Sequence, residues 1–194
     1  MTDTDRLQQD LDYIRAAVRR REQPVGIPAL YVFWAVAVFV GFASTDAAPH
    51  VTGLYWLVVG IGGGLFSWWM GERDDRKRGV YDVEQGKRYG LHWVVGGIGY
   101  FLTALPMLAH GFSNDAAAGF LLTTGIVYGL AGVHLERPLL WCGLLAFAGY
   151  VALIVWRLPY AWTITGALIA ACLLLAAVFA ARARAAEDAA GDAQ

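Results

Sequence analysis

The chain has 194 residues and a formal net charge of −1, and hydrophobic residues make up 58% of it, with a mean hydropathy of +0.47. This apolar share is above that of a soluble globular domain. Its apolar stretches are continuous rather than alternating with polar residues, which excludes a transmembrane β-barrel.

The first predicted element is a short amphipathic helix within residues 1–26. Leu7, Leu11, Ile14 and Val18 recur at helical spacing and form one apolar stripe. The opposite side mixes acidic residues with arginines, and the stripe lacks the Trp or Phe that is typical of an interfacial anchor. Two roles remain open for this helix: simple anchoring or packing at the membrane, and binding of a partner protein or of a second copy of the chain.

Six apolar blocks follow, each with about the 20 residues that a helix needs to cross a bilayer. None of them contains an internal Asp, Glu, Lys or Arg. The sequence therefore predicts an all-α membrane domain over residues 27–181, with six transmembrane helices arranged as three hairpins, and a disordered tail over residues 182–194. The predicted spans are residues 27–45, 53–70, 89–109, 116–134, 139–156 and 161–181.

The Lys and Arg residues predict the orientation. All of them except Arg157 lie in the N-terminal tail, in the second and fourth linkers or after the last span. Because cytoplasmic loops carry the excess of Lys and Arg, both termini are predicted to be cytoplasmic. The preference for Arg over Lys, together with abundant Ala and Gly, suggests a GC-rich gene and a bacterial inner membrane. Neighbouring anionic lipid accounts for the basic linkers, so no nucleic-acid binding is predicted.

Glycine spacing predicts where helices pack closely. Two spans carry the small-x-x-x-small pattern that lets backbones approach, and a third is rich in glycine. The residues are Gly60 and Gly64 in span two, Gly96 and Gly99 in span three, and Gly125 and Gly129 in span four. We expect spans two, three and four to form the tight centre of the bundle, with a homodimer face as the alternative.

No combination of residues points to a specific catalytic reaction. The mixed-charge run of the second linker, with Arg73, Arg76 and Arg78, forms the largest cytoplasmic surface together with the N-terminal helix. The spans lack the acidic and basic groups that proton-coupled transporters use. The leading hypothesis is therefore a non-enzymatic accessory or regulatory membrane protein that acts through its cytoplasmic face.

Two alternatives remain open. Thr123, Thr124 and Tyr128 form a polar stripe on span four, which would suit a small transporter or lipid-handling protein for a neutral or amphipathic substrate. His92 and His134 lie near the same ends of spans three and four and would suit haem ligation in a redox protein. No other cofactor and no metal site are predicted.

Overall fold

A computed structural model describes residues 26–78 and 83–191, and this part of the chain folds into six α-helices without a strand. Helix α1 spans Pro28–Ala47, α2 Pro49–Arg78, α3 Val83–His110, α4 Asn114–His134, α5 Arg137–Ile154 and α6 Ala161–Gly191. Each is long and apolar enough to cross a membrane. The all-α class and the prediction of six helices that are long and apolar enough to cross a membrane are thereby confirmed.

Proline and serine mark where several helices begin. Pro28, Pro49 and Pro138 lie in the first turns of α1, α2 and α5. There the missing amide hydrogen removes no helical hydrogen bond. Ser113 caps α4, because its hydroxyl oxygen accepts a hydrogen bond of 3.1 Å from the Ala116 amide.

Helices α2 and α6 continue beyond the predicted ends of their spans. They have 30 and 31 residues, which makes each about 45 Å long, against a hydrocarbon core of about 30 Å. The predicted disordered tail is wrong over residues 182–191, which are helical. This run is rich in Ala, a strong helix former, and an existing helix extends more easily than a new one nucleates.

The helices contact one another in the order α2, α1, α6, α5, α4, α3, and the most extensive contacts join α1 to α6 and α4 to α5. Half of the apolar window of α4 is buried, compared with 11% in α2 and 6% in α3. The expectation of a central position is therefore wrong for spans two and three, whereas span four does lie in the centre. Helices α1, α4, α5 and α6 form it, and α2 and α3 lie at its flanks.

Glycine lets α4 and α5 approach backbone to backbone. A Cβ atom added to Gly143 of α5 would lie 2.4 Å from the backbone nitrogen of Gly129 in α4. One added to Gly132 would lie 2.1 Å from the backbone nitrogen of Leu140. Neither position has room for a side chain, so these glycines set the distance between the two central helices.

The other glycines of the predicted pattern differ in their surroundings. Gly125 of α4 faces the Phe147 ring, which would lie 2.4 Å from an added Cβ. Gly96 of α3 faces Val127 of α4, and Gly99 lies beside another α4 side chain. These contacts join α3, α4 and α5.

Gly60 and Gly64 face open space, since a Cβ added at either position meets nothing within 4 Å. Helix α2 packs on α1 through a different side, where Gly63 lies against the Trp34 ring. The Trp34 indole also donates a hydrogen bond of 3.0 Å to the Ser67 hydroxyl. Within one chain, the Gly60 and Gly64 face is thus available to lipid or to another helix.

The two ends of the bundle differ in charge. The end at which α2, α4 and α6 terminate, called the basic end below, carries nine of the ten Lys and Arg residues within residues 26–78 and 83–191. They are Arg73, Arg76, Lys77, Arg78, Lys87, Arg88, Arg137, Arg182 and Arg184. At the opposite end, Asp46 accepts hydrogen bonds from the Thr163 amide and hydroxyl at 2.8 and 2.7 Å and so caps the start of α6.

We predict that Gly143→Ala lowers the stability of the purified protein in detergent by about 1–3 kcal/mol, because the new methyl group overpacks the α4–α5 contact. Gly60→Ala is the matched control, because an added Cβ at this helical position meets no neighbouring atom. Its stability should be unchanged or slightly higher, since alanine has a higher helix propensity than glycine. Thermal unfolding monitored by tryptophan fluorescence checks both variants. An equal loss of stability for Gly60→Ala would show that this face is packed and would contradict the arrangement.

Candidate functional site

Glu136 joins three parts of the bundle at the basic end. It lies in the short connection between α4 and α5, and its carboxylate accepts hydrogen bonds from two tyrosines. Tyr31 of α1 donates to Oε2, and Tyr89 of α3 donates to Oε1 at 2.8 Å. Bonds to an ionised acceptor are stronger than bonds between neutral groups, so this cluster holds α1 and α3 to the α4–α5 connection.

Hydrogen bonds at the end of α4 hold the backbone around Glu136. The amides of Leu135 and Glu136 both donate to the Ala131 carbonyl, at 2.7 and 2.9 Å, which closes the end of α4. Glu136 is also the N-cap residue of α5, but its side chain makes no capping bond there. The carboxylate is therefore free to bond across the bundle instead of within its own helix.

A second cluster forms around Arg184 near the end of α6. Its guanidinium donates to both carboxylate oxygens of Asp74 in α2, at 2.7 and 3.0 Å, and to the Gly26 carbonyl at 3.1 Å. The two charged side chains are only 16% and 22% exposed. A bidentate pair shielded from water has a fixed geometry that a surface ion pair lacks. Arg184 thus links the ends of α2 and α6 to the segment that precedes α1.

Exposed basic side chains surround these clusters on α2. The Arg73 guanidinium lies 5.4 Å from the centre of the Trp69 ring, within the range of a cation–π contact. Arg76 pairs with Glu72 at 3.4 Å one turn earlier on α2. Trp69, Glu72, Arg73, Arg76 and Lys77 line a surface depression. The basic end therefore offers cations on a surface that the buried clusters hold in place.

The sequence-predicted binding residues are only partly within the described chain. Arg73 and Arg76 lie on the exposed side of α2, next to the buried clusters. The amphipathic stripe and the Arg78 side chain lie outside the described residues. The stripe consists of Leu7, Leu11, Ile14 and Val18.

The polar stripe of α4 takes part in helix packing. The Thr124 hydroxyl donates to the Phe120 carbonyl at 2.7 Å and accepts from the Tyr100 hydroxyl at 3.2 Å. Tyr128 is buried, and its ring packs edge-on against Trp93 of α3. The methyl group of Thr123 lies against Gly99. These contacts join α3 to α4, so the stripe lines a helix interface.

The two histidines that suggested haem lie at different depths. The Nε2 atom of His92 is 3.1 Å from the carbonyl oxygen of Val127 in α4, whereas His134 is the exposed last residue of that helix. His134 lies seven positions after Val127 in α4, which is about 10 Å along the helix axis. Within residues 26–78 and 83–191, no three His, Cys, Asp or Glu side chains form a group that could hold a metal ion.

Sequence reasoning missed both clusters at the basic end. Residue spacing alone predicts neither the two tyrosine hydrogen bonds of Glu136 nor the pairing of Asp74 with Arg184. The available signal was weak: Tyr31 and Tyr89 each lie one turn or less inside a span that begins at the basic end. A hydroxyl at that depth needs a partner within the protein, which a nearby carboxylate can supply.

Comparisons of the chain with protein-family models, curated proteins and solved structures find no match. The function is therefore inferred from the chemistry of the chain's own residues.

We predict that Tyr89→Phe lowers the free energy of unfolding by about 1.5–3 kcal/mol, the value of one hydrogen bond to a charged group. Tyr31→Phe should have a similar effect. The loss of stability in the double variant should differ from the sum of the two single losses, because both hydroxyls bind one carboxylate. Tyr160→Phe is the control, since this side chain is 70% exposed at the opposite end. Denaturant unfolding in detergent measures all four proteins. A Tyr89→Phe variant as stable as the control would contradict the role of the Glu136 cluster.

Proposed function

We propose that the chain is a non-enzymatic accessory or regulatory protein of the bacterial inner membrane, with both termini in the cytoplasm, which acts through its basic end. The observation that carries the proposal is the contrast between the two ends of the bundle. One end combines partly buried, hydrogen-bonded carboxylates with exposed cations, and the other has one arginine, Arg157, within residues 26–78 and 83–191. The positive-inside rule assigns the first of these ends to the cytoplasm.

The rigidity of the basic end supports a docking role. The Glu136 and Arg184 clusters hold the helix ends together, so the backbone that carries the exposed side chains of Arg73 and Arg76 is positioned relative to α6. A preorganised surface loses less conformational entropy when a partner binds. Helices α2 and α6 are also longer than the roughly 20 residues needed to cross the hydrocarbon core, so their ends extend toward the aqueous phase.

The contacts within the spans favour this role over transport. The hydroxyls of Thr124 and Tyr100 bind each other across the α3–α4 interface, and Tyr128 is buried beside Trp93. Their polar groups stabilise helix packing. Nine of the ten Lys and Arg residues within residues 26–78 and 83–191 lie instead at the basic end, and the predicted amphipathic segment precedes Gly26.

We predict that deleting residues 1–22 abolishes co-purification of a partner protein with the affinity-tagged chain, while the truncated protein still inserts into the membrane. The deletion removes the predicted apolar stripe but leaves every helix from α1 to α6 intact. Crosslinking in intact cells, followed by quantitative mass spectrometry, compares the captured proteins, and resistance to alkaline extraction checks insertion.

Arg157→Ala provides the control, because it changes the charge of the opposite end only. Its captured proteins should match those of the unmodified chain. Identical capture by the truncated chain would contradict the docking role. A reporter that is active only in the periplasm, working when fused after residue 194, would contradict the orientation.

A further inference from the structure

Beyond the accessory role, and independently of it, we propose that the basic end of α2 binds the headgroup of an anionic phospholipid. The site consists of Trp69, Arg73, Arg76 and Lys77. The ligand is a lipid with a phosphate diester headgroup and acyl chains, such as phosphatidylglycerol, bound at the flank of the bundle.

The depth of these residues matches the headgroup layer. Trp68 and Trp69 are 68% and 50% exposed, and exposed tryptophans concentrate where the hydrocarbon meets the headgroups. Arg73 follows Trp69 by four residues and Arg76 by seven, which is about 6 and 10 Å along the helix. The headgroup layer is about 5–8 Å thick on each side. Arg73 therefore lies within the layer, and Arg76 can reach back into it with its flexible side chain.

The spacing of the residues directs their side chains to one flank of α2. Residues four and seven positions apart lie on the same side of a helix, so Trp69, Arg73 and Arg76 share a face. Lys77 lies four residues beyond Arg73 and extends the same patch. All four side chains line one depression, and Arg73 and Lys77 also border a second one beside Ile27 and Met70.

The charge of the patch is available to a phosphate. The first depression is lined by three cationic side chains and one carboxylate, Glu72. The Arg76–Glu72 pair is weak because its side chains are 75% and 40% exposed. The Arg73 guanidinium lies over the Trp69 ring, 5.4 Å from its centre, within the range of a cation–π contact. A guanidinium has five N–H donors and can bind the paired oxygens of a phosphate bidentately.

The same flank continues as an apolar track for the acyl chains. Leu65 lies one turn before Trp69 and is 59% exposed, and Val58, two turns further, is 63% exposed. Gly62 lies between them, and a Cβ added there meets nothing within 4 Å. A chain lying along this track leaves its headgroup beside Trp69 and Arg73. Cations, an aromatic residue at the interface and an open apolar track together favour a lipid over a soluble phosphate or an acidic peptide.

The test is native mass spectrometry of the full chain in detergent with added phosphatidylglycerol or with phosphatidylcholine of the same acyl chains. We expect a clear preference for phosphatidylglycerol. The triple variant Arg73→Gln, Arg76→Gln and Lys77→Gln should lose it, at about fivefold in binding for each neutralised charge. The matched control is Lys87→Gln, Arg137→Gln and Arg182→Gln, which removes three exposed charges from the same end. It should keep its preference within about twofold, because these residues lie on other helices.

Trp69→Leu is a second variant that leaves the net charge unchanged. It should weaken phosphatidylglycerol binding by removing the ring under Arg73. Equal loss of lipid in the control triple variant would overturn the site, since it would show dependence on total charge alone. Binding of glycerophosphoglycerol, the soluble headgroup, as tightly as the intact lipid would also overturn it. So would an unchanged lipid preference in the α2 triple variant, even if that variant lost a protein partner.

Discussion

A carboxylate at the edge of an apolar bundle must obtain its hydrogen-bond donors from the protein, because water reaches it poorly there. Glu136 and Asp74 obtain theirs from residues far away in the sequence. Tyr31 and Tyr89 donate to Glu136, and Arg184 donates to Asp74. Since Glu136 connects α4 to α5, and the donors and Asp74 lie on the remaining helices, the two clusters together involve all six helices.

Close packing and further hydrogen bonds between helices hold the rest of the bundle together. In a bilayer, apolar side chains gain little by leaving lipid for one another, so close contact and hydrogen bonds between helices must supply the association. Glycines supply that contact between α4 and α5, at Gly129, Gly132 and Gly143. Helices α2 and α3 make fewer contacts and expose most of their apolar surface. The Arg184–Asp74 pair is therefore important for α2, because it ties this flanking helix to the end of α6.

Much of the architecture could be predicted from the sequence, because a charge-free apolar block of membrane length has few other stable folds. The ends of α2 and α6 could not be predicted from hydropathy, since helix propensity continues after the apolar window ends. Glycines in equivalent sequence patterns also have different surroundings in the structure: Gly125 packs against Phe147, whereas Gly60 faces open space. The pattern identifies a small-residue face but carries no information about which helix meets it.

The candidate site was the least predictable part. Its bonds connect residues that are 105, 47 and 110 positions apart in the chain. Such pairings depend on which helices are neighbours in the bundle, and local residue spacing does not encode this arrangement. The sequence did predict that Arg73 and Arg76 lie at the basic end, because the distribution of Lys and Arg between the apolar blocks can be read without a tertiary structure. The Glu136 and Arg184 clusters form only between helix ends that meet in the folded bundle, so they are visible only in the tertiary structure.

The most direct test of this account is a charge exchange between Asp74 and Arg184, measured by thermal unfolding in detergent. Each single variant, Asp74→Arg or Arg184→Asp, places two like charges together and should lower the unfolding temperature by several degrees. The exchanged double variant restores opposite charges and should recover at least half of that loss. A double variant that is destabilised by the sum of the single losses would contradict the central claim that this pair ties α2 to α6.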